Sequence, residues 1–235
     1  MAFSSPDSRR RRVRRAVIGV VAVGVLAFGA AFAFFALRGG DAPAPPSLAP
    51  APAGTPEAEQ AEAPGGTRRW TPGQGSFVGY RVREEFARIG VVDAVGRTGE
   101  VTGSVTGTGE RLTAAQLTAD LGALQSDEPR RDNALRDRGI ETARFPTARF
   151  ELSDPVEVSR DASRARGQLT LHGVTRSVTA ELSGQETAGG GLELVGSVPV
   201  RFARFDIEPP SVAGFVTVRD EGRLEVRLRL SPSGT

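Results

Sequence analysis

His172 is the single histidine of the chain, which also has no cysteine and no lysine. A general base or a metal ligand needs a positioned partner, and spacing identifies none for it. It sits in Leu169-Thr170-Leu171-His172-Gly173-Val174-Thr175, on the face opposite Leu169 and Leu171 and next to a glycine that marks a turn. A hydrogen bond that stabilises this turn is its expected role. A zinc site would have to rest mainly on carboxylates, so no metal and no cofactor is expected. Gly103-Ser104-Val105-Thr106-Gly107 does not place its serine as a nucleophile elbow requires, because Ser104 directly follows the glycine. The glycines from Gly96 to Gly109 lack the strand-to-helix context and the lysine of a phosphate loop. They read as turns, bulges and small-residue strand positions. Glu84-Glu85 and Asp127-Glu128 suit solvated positions or a helix cap better than an acid/base couple, and the chain reads as a non-enzyme.

Arg131-Asp132 stands near the start of a helical stretch, where a carboxylate is favoured by the helix dipole and an arginine can fork onto an acid or onto carbonyls. Two roles follow for Arg131 and Arg136: a clamp on an anionic group, or structural pins between helix and body. The second is the plainer expectation.

The elements that must position these residues begin after a long N-terminal preamble. Ala16 to Leu37 carries no charge and follows Arg9 to Arg12, Arg14 and Arg15. As a helix it would reach about 33 Å, enough for a hydrocarbon core of about 30 Å. The positive-inside rule then assigns residues 1–15 to the cytoplasm, 16–37 to a single transmembrane helix and everything later to the outside. A cleaved signal peptide is the rival, with small-residue spacing at Ala31-Phe32-Ala33 and Ala42-Pro43-Ala44, and export follows either way. Residues 38–69 are rich in proline and alanine and poor in large apolar side chains, the composition of a disordered, polyproline-biased spacer. The remainder, 70–235, has a net charge of only about −2, so the basic isoelectric point belongs to the preamble and no nucleic-acid partner is indicated.

From Trp70 onward the hydrophobic period is two. Leu224, Val226, Leu228 and Leu230 alternate with Glu225, Arg227 and Arg229, while Val174, Arg176, Val178, Ala180 and Leu182 alternate with Thr175, Ser177, Thr179 and Glu181. Val78, Tyr80, Val82, then Leu117, Ala119, Leu121, then Val198, Val200, Phe202 repeat the pattern. Turn-type residues separate the runs at Thr106 to Glu110, Ser153 to Pro155, Ser183 to Gly191 and Arg219 to Gly222. One helix is expected, over Asp127 to Arg138, capped by the Ser126-Asp127-Glu128-Pro129 start and stopped by Gly139. The fold class is mainly β, an antiparallel barrel or sandwich with one short helix. About eight strands can just enclose an elongated ligand, but a side-chain-filled barrel alternates identically and is the simpler expectation from pattern alone.

Two stretches carry a family resemblance: Arg130-Arg131-Asp132-Asn133-Ala134-Leu135-Arg136 leading to Arg144-Phe145-Pro146-Thr147-Ala148-Arg149-Phe150-Glu151, and Gly167-Gln168-Leu169-Thr170-Leu171-His172-Gly173-Val174-Thr175-Arg176. With the opening Ser76-Phe77-Val78-Gly79-Tyr80-Arg81-Val82 and the closing Arg204-Phe205-Asp206-Ile207, they resemble the signature of the YceI-like lipid-binding family over roughly Trp70 to Leu230. The resemblance implies an extended, lipocalin-like antiparallel barrel whose interior holds a long-chain isoprenoid or fatty-acyl lipid. Inward-facing candidates are Val78, Tyr80, Val82, Leu117, Leu121, Phe150, Leu169, Leu171, Val198, Val200 and Phe202, with Arg131 and Arg136 as head-group candidates. Where many family members carry histidines, this chain has Glu84 or Glu85 and Asn133 or Ala134, and Gly139-Ile140-Glu141-Thr142 replaces their aspartate and phenylalanines. Histidine-dependent properties therefore do not transfer. The implied function is sequestration of a lipid in an exported, membrane-tethered barrel, with a filled barrel serving as a structural or interaction module as the alternative.

Overall fold

Alternating valine, leucine and alanine against arginine, threonine and glutamate lets each run bury one face, and the runs pair into a single antiparallel sheet. A computed structural model describes residues 42–50, 66–86, 90–108, 111–209 and 216–233. The strands are β1 (Arg68–Pro72), β2 (Phe77–Phe86), β3 (Gly90–Thr98), β4 (Val101–Thr108), β5 (Arg111–Asp120), β6 (Gln125–Ser126), β7 (Thr147–Leu152), β8 (Val156–Glu157), β9 (Ser163–Leu171), β10 (Val174–Thr187), β11 (Gly191–Val200) and β12 (Val216–Pro232). One helix, α1 (Pro129–Asp137), lies between β6 and β7.

β1 and β2 lie one after the other along the same edge of β12, with Trp70 opposite Pro232 and Val78 opposite Val226. Likewise β4 pairs β1 and β3 pairs β2. Each couple is one long, kinked stave, and β5, β7, β9, β10, β11 and β12 complete a closed ring. The first kink, Gly73 to Ser76, is tied to β12: Gly73 N–H donates to Arg229 O at 2.7 Å, and the buried Ser76 hydroxyl bonds both the N–H and the O of Arg229. Buried backbone groups released by the bend thus keep partners.

Two turn assignments change. Of the turn expected over Ser183 to Gly191, Ser183 to Thr187 continues β10 and the reversal is confined to Ala188–Gly190; Gly184 is a small-residue strand position where a Cβ would collide with Val158 and Leu194. Arg219 to Gly222 is a bulge inside β12, where the register with β2 shifts between Val218 and Gly222. Asp220 and Gly222 mark a local irregularity in the second case, whereas the register of β10 with β11 runs unbroken past Gly184 in the first.

α1 begins one residue after its cap: the Glu128 carboxylate accepts from Arg130 N–H at 3.1 Å, Pro129 opens the first turn, and Gly139 follows with φ +68. Asp132 in that first turn accepts from Ser126 N–H at 3.0 Å and so ties the helix to β6. β9 and β10 are joined by His172 (φ +52) and Gly173 (φ +74), the two-residue turn whose twist suits a hairpin.

Residues from Pro43 onward form one compact unit. The stretch 43–50, inside the segment expected as a free spacer, hydrogen-bonds to the outer barrel wall. The expected cytoplasmic N-terminus (1–15), transmembrane helix (16–37) and most of the remaining spacer lie outside the described residues. Among the described residues no helix is long and apolar enough to cross a membrane.

Candidate functional site

Register decides which side chains face the interior. Opposite residues share a face, so Gly103, Leu117, Phe150, Leu169 and Arg176 form one inward row, and Val198, Leu224, Tyr80 and Gly96 another. The end of the barrel near Trp70 is packed solid. Trp70, Val105, Leu112, Val158, Leu192, Leu194, Leu228 and Leu230 are all buried there, and the indole N–H of Trp70 donates to Gly190 O at 2.9 Å.

The expected lining residues divide into two groups. Leu121, Leu169, Leu171, Val198 and Val200 are buried within the core. Val78, Tyr80, Val82, Leu117 and Phe150 face inward yet keep partial exposure, as do Val174, Val178, Leu224 and Val226. Leu121 stands just past the end of β5, and Phe202 in a 3-10 turn after β11. Of the partly exposed side chains, Val78, Leu117, Val174, Val178, Leu224 and Val226 pack against the buried cluster while keeping some contact with solvent.

Three of the aromatic rings lie over glycines of other segments. Tyr80 covers Gly96, Phe150 covers Gly167, and Phe202 with Val82 covers Gly222. A Cβ at Gly96 would lie 2.5 Å from Tyr80 Cε1, and one at Gly222 would lie 2.8 Å from Phe202 Cζ and 2.9 Å from Val82 Cγ1. The glycines of this region thus make room for rings, as small-residue strand positions.

At the α1 end the inward positions turn polar. Glu84, on the inward face of β2, receives Arg131 Nε at 3.1 Å and Nη2 at 3.2 Å, a two-pronged pair with both side chains largely buried. Arg131 also reaches Asp127 one turn back and the Ser126 hydroxyl at 3.4 Å. Burial alone would lower the Arg131 pKa, but its hydrogen bonds to Glu84 and the charge of Glu84 outweigh that and raise it. Tyr80 stands beside this cluster with its hydroxyl buried. Desolvation, aided by Asp132 and Glu84 and opposed by Arg131, pushes its pKa well up.

Arg136 lies exposed on α1, apart from the cluster. Arg176 was not among the head-group candidates, although its place in the Val174-to-Leu182 alternation already put it with the inward set. It is opposite Leu169 and exposed at the same end of the barrel.

His172 spends both ring nitrogens on structure. Nδ1 contacts Phe205 O at 3.1 Å and Nε2 contacts Glu141 Oε2 at 2.8 Å, while Phe145 packs edge-on at 4.3 Å between ring centroids. It joins the β9–β10 turn to the loops before β7 and after β11. Among the described residues no cluster of three or more His, Asp or Glu could hold a metal ion. An open depression of about 680 Å³ lined by Asp154, Pro155, Arg164, Arg166 and Thr179 lies on the outer wall, on the opposite face from the inward rows.

Comparison with known proteins accords with this architecture. UPF0312 proteins of Pseudomonas aeruginosa and Pseudomonas paraeruginosa are 30% and 31% identical over 118 residues, and the match spans 48% of this chain and 59% of each relative. BcnA of Burkholderia cenocepacia superposes with a TM-score of 0.54 at 16% identity, covering 66% of this chain and 96% of BcnA. A polyisoprenoid binding domain from Saccharophagus degradans, implicated in plant cell wall breakdown, gives 0.55 at 17% identity, covering 72% and 100%. Those structural likenesses show a shared barrel fold. Residues 73–230 match the model of the YceI-like domain, and with most of the barrel inside that match the chain belongs to the YceI-like domain family.

Proposed function

We propose that the barrel binds one long-chain isoprenoid or acyl lipid non-covalently, its tail along the inward rows and its polar end at the Arg131 and Arg176 side. The observation that carries this reading is the gradient of the interior: packed apolar at the Trp70 end, apolar but partly exposed at Val78, Val82, Leu117, Phe150 and Val178, and charged at Glu84, Arg131 and Arg176. An amphiphile has the same order of parts. Each buried methylene is worth about 0.8 kcal/mol, so a tail of about ten carbons offers roughly 8 kcal/mol before binding costs, and each further carbon adds to it. The description of the Saccharophagus degradans domain as polyisoprenoid binding agrees with this ligand class.

In the same reading, residues 16–37 hold the protein in the cell membrane with the barrel on the extracytoplasmic side. The solid packing around Trp70 favours a second reading, a filled barrel that serves as an interaction module of the envelope.

Native mass spectrometry of the full chain, followed by organic extraction, separates the two. A stoichiometric long-chain lipid that leaves on denaturation, together with a melting temperature that rises on adding prenyl or acyl lipids, is expected of a carrier. A lipid-free mass that prenyl and acyl lipids leave unchanged would sink that reading in favour of the filled barrel.

A further inference from the structure

We propose that the outer wall formed by β2, β3, β10, β11 and β12 is a docking site for a proline-rich extended chain, and that its resident occupant is residues 43–50 of the same protein.

Two carboxylates on this outer face are buried, Glu225 at 1% and Glu193 at 3% exposure. They hold a row of arginines in place. Arg81 Nε bonds Glu225 at 2.6 Å and its Nη1 meets Asp93 at 3.3 Å; Arg97 Nη2 lies 3.6 Å from Glu225, and Arg227 Nε 3.4 Å from Glu193. A guanidinium has five N–H donors, so each arginine keeps donors after its carboxylate is served.

Those remaining donors point at the backbone of residues 43–50, the strap. Arg81 Nη2 donates to Pro43 O, Arg97 Nη2 to Ala44 O at 3.1 Å, and Arg227 Nη2 to Ser47 O. Ala49 O accepts from Arg160 at 3.3 Å and from Gln185 at 3.2 Å. In return Ala49 N–H donates to Glu193 Oε2 at 3.2 Å. From Arg81 to Gln185 the contacts cross β2, β12, β11 and β10 while the strap advances from Pro43 to Ala49.

Proline suits this wall for a stated chemical reason. It has no N–H, so Pro43, Pro45 and Pro46 add no donors that would need partners against the wall, while the carbonyls of Pro43, Ala44, Ser47 and Ala49 accept from it. A proline-rich chain is also extended before it binds and loses little entropy on docking. The wall takes up four backbone carbonyls and a single N–H, that of Ala49, which defines its ligand class as a proline-rich strand.

The test uses the full chain. Amide exchange of the unaltered protein should show Ala49 protected at least tenfold over a free peptide. A full-length variant with residues 43–50 replaced by a glycine-serine repeat, its fold checked by Trp70 fluorescence, should bind the nine-residue peptide Ala-Pro-Ala-Pro-Pro-Ser-Leu-Ala-Pro. The unaltered chain should not, and a peptide with glycine at every proline should bind the variant at least tenfold more weakly. Unprotected exchange at Ala49 overturns the proposal, and decides the matter even if the replaced chain does not fold. So does a peptide that binds neither protein or both alike, and a dimeric mass for the unaltered chain would transfer the strap to a second copy and overturn occupancy in cis.

Discussion

The ring of Tyr80 rests on Gly96 of the neighbouring strand, so close that a Cβ at Gly96 would fall 2.8 Å from Cζ and 2.9 Å from the hydroxyl. Gly96→Ala should therefore overpack the interior and cost about 1–3 kcal/mol. Urea denaturation measures it. In a Tyr80→Leu background the same substitution should cost less than half as much, and an undiminished cost would mean that the clash lies with the backbone.

Tyr80 is the one tyrosine of a chain without lysine or cysteine, so no other side chain ionises between about pH 9 and 12. Its pKa is raised above the usual 10.0 in the folded state, chiefly by desolvation. Above pH 10 the unfolded chain releases a proton that the folded chain retains, and stability falls as pH rises. The stabilisation is complete below pH 10. Denaturation from pH 9 to 12 should show this decline in the parent protein, and Tyr80→Phe should flatten it. Phenolate absorbance should appear only as the protein unfolds.

Arg131 and Arg136 lie one turn and a half apart on α1 and should behave differently. Arg131→Ala leaves Glu84 largely buried without its counter-charge and should cost about 3 kcal/mol. Arg136 is exposed, and its replacement by alanine should change stability by less than about 0.5 kcal/mol. Thermal melts of the two variants decide it; equal losses would mean that Arg131 is not the pin between helix and barrel.

The two halves of the interior can be separated by substitution. Leu228→Ala opens a cavity in the solid end and should cost about 2–5 kcal/mol while leaving lipid capture intact. Val178→Trp fills a partly exposed inward position and should lower lipid occupancy severalfold with little loss of stability. Extraction of lipid from each purified variant, beside its melting curve, checks both.

Much of the wall was legible in the sequence. The alternation in Leu224 to Leu230 and Val174 to Leu182 assigned faces that the register of β12 and β10 reproduces, and Pro129 and Gly139 bracketed α1. Burial with period two leaves that trace in any strand that covers a core. Pairings between distant segments leave none: Glu84 meets Arg131 across 47 positions, and which ring rests on which glycine depends on a register that no single strand records. The docked stretch 43–50 was hidden for another reason. Its contacts are mostly main-chain carbonyls, and a composition that cannot build a core still can be held by another surface.

That docking also changes how the barrel would carry load. Tension arriving through the chain ahead of residue 43 meets the side-chain contacts of Arg81, Arg97, Arg227, Arg160 and Gln185 before it reaches β1. Those contacts are spread across several staves, so the pull is shared around the wall. Without them the same tension would reach β1 directly, a five-residue strand that holds Trp70 and that could be peeled from the ring one bond at a time. Under such a pull the strap would act as a strain relief, like the clamp that keeps a tugged cable from loosening its plug.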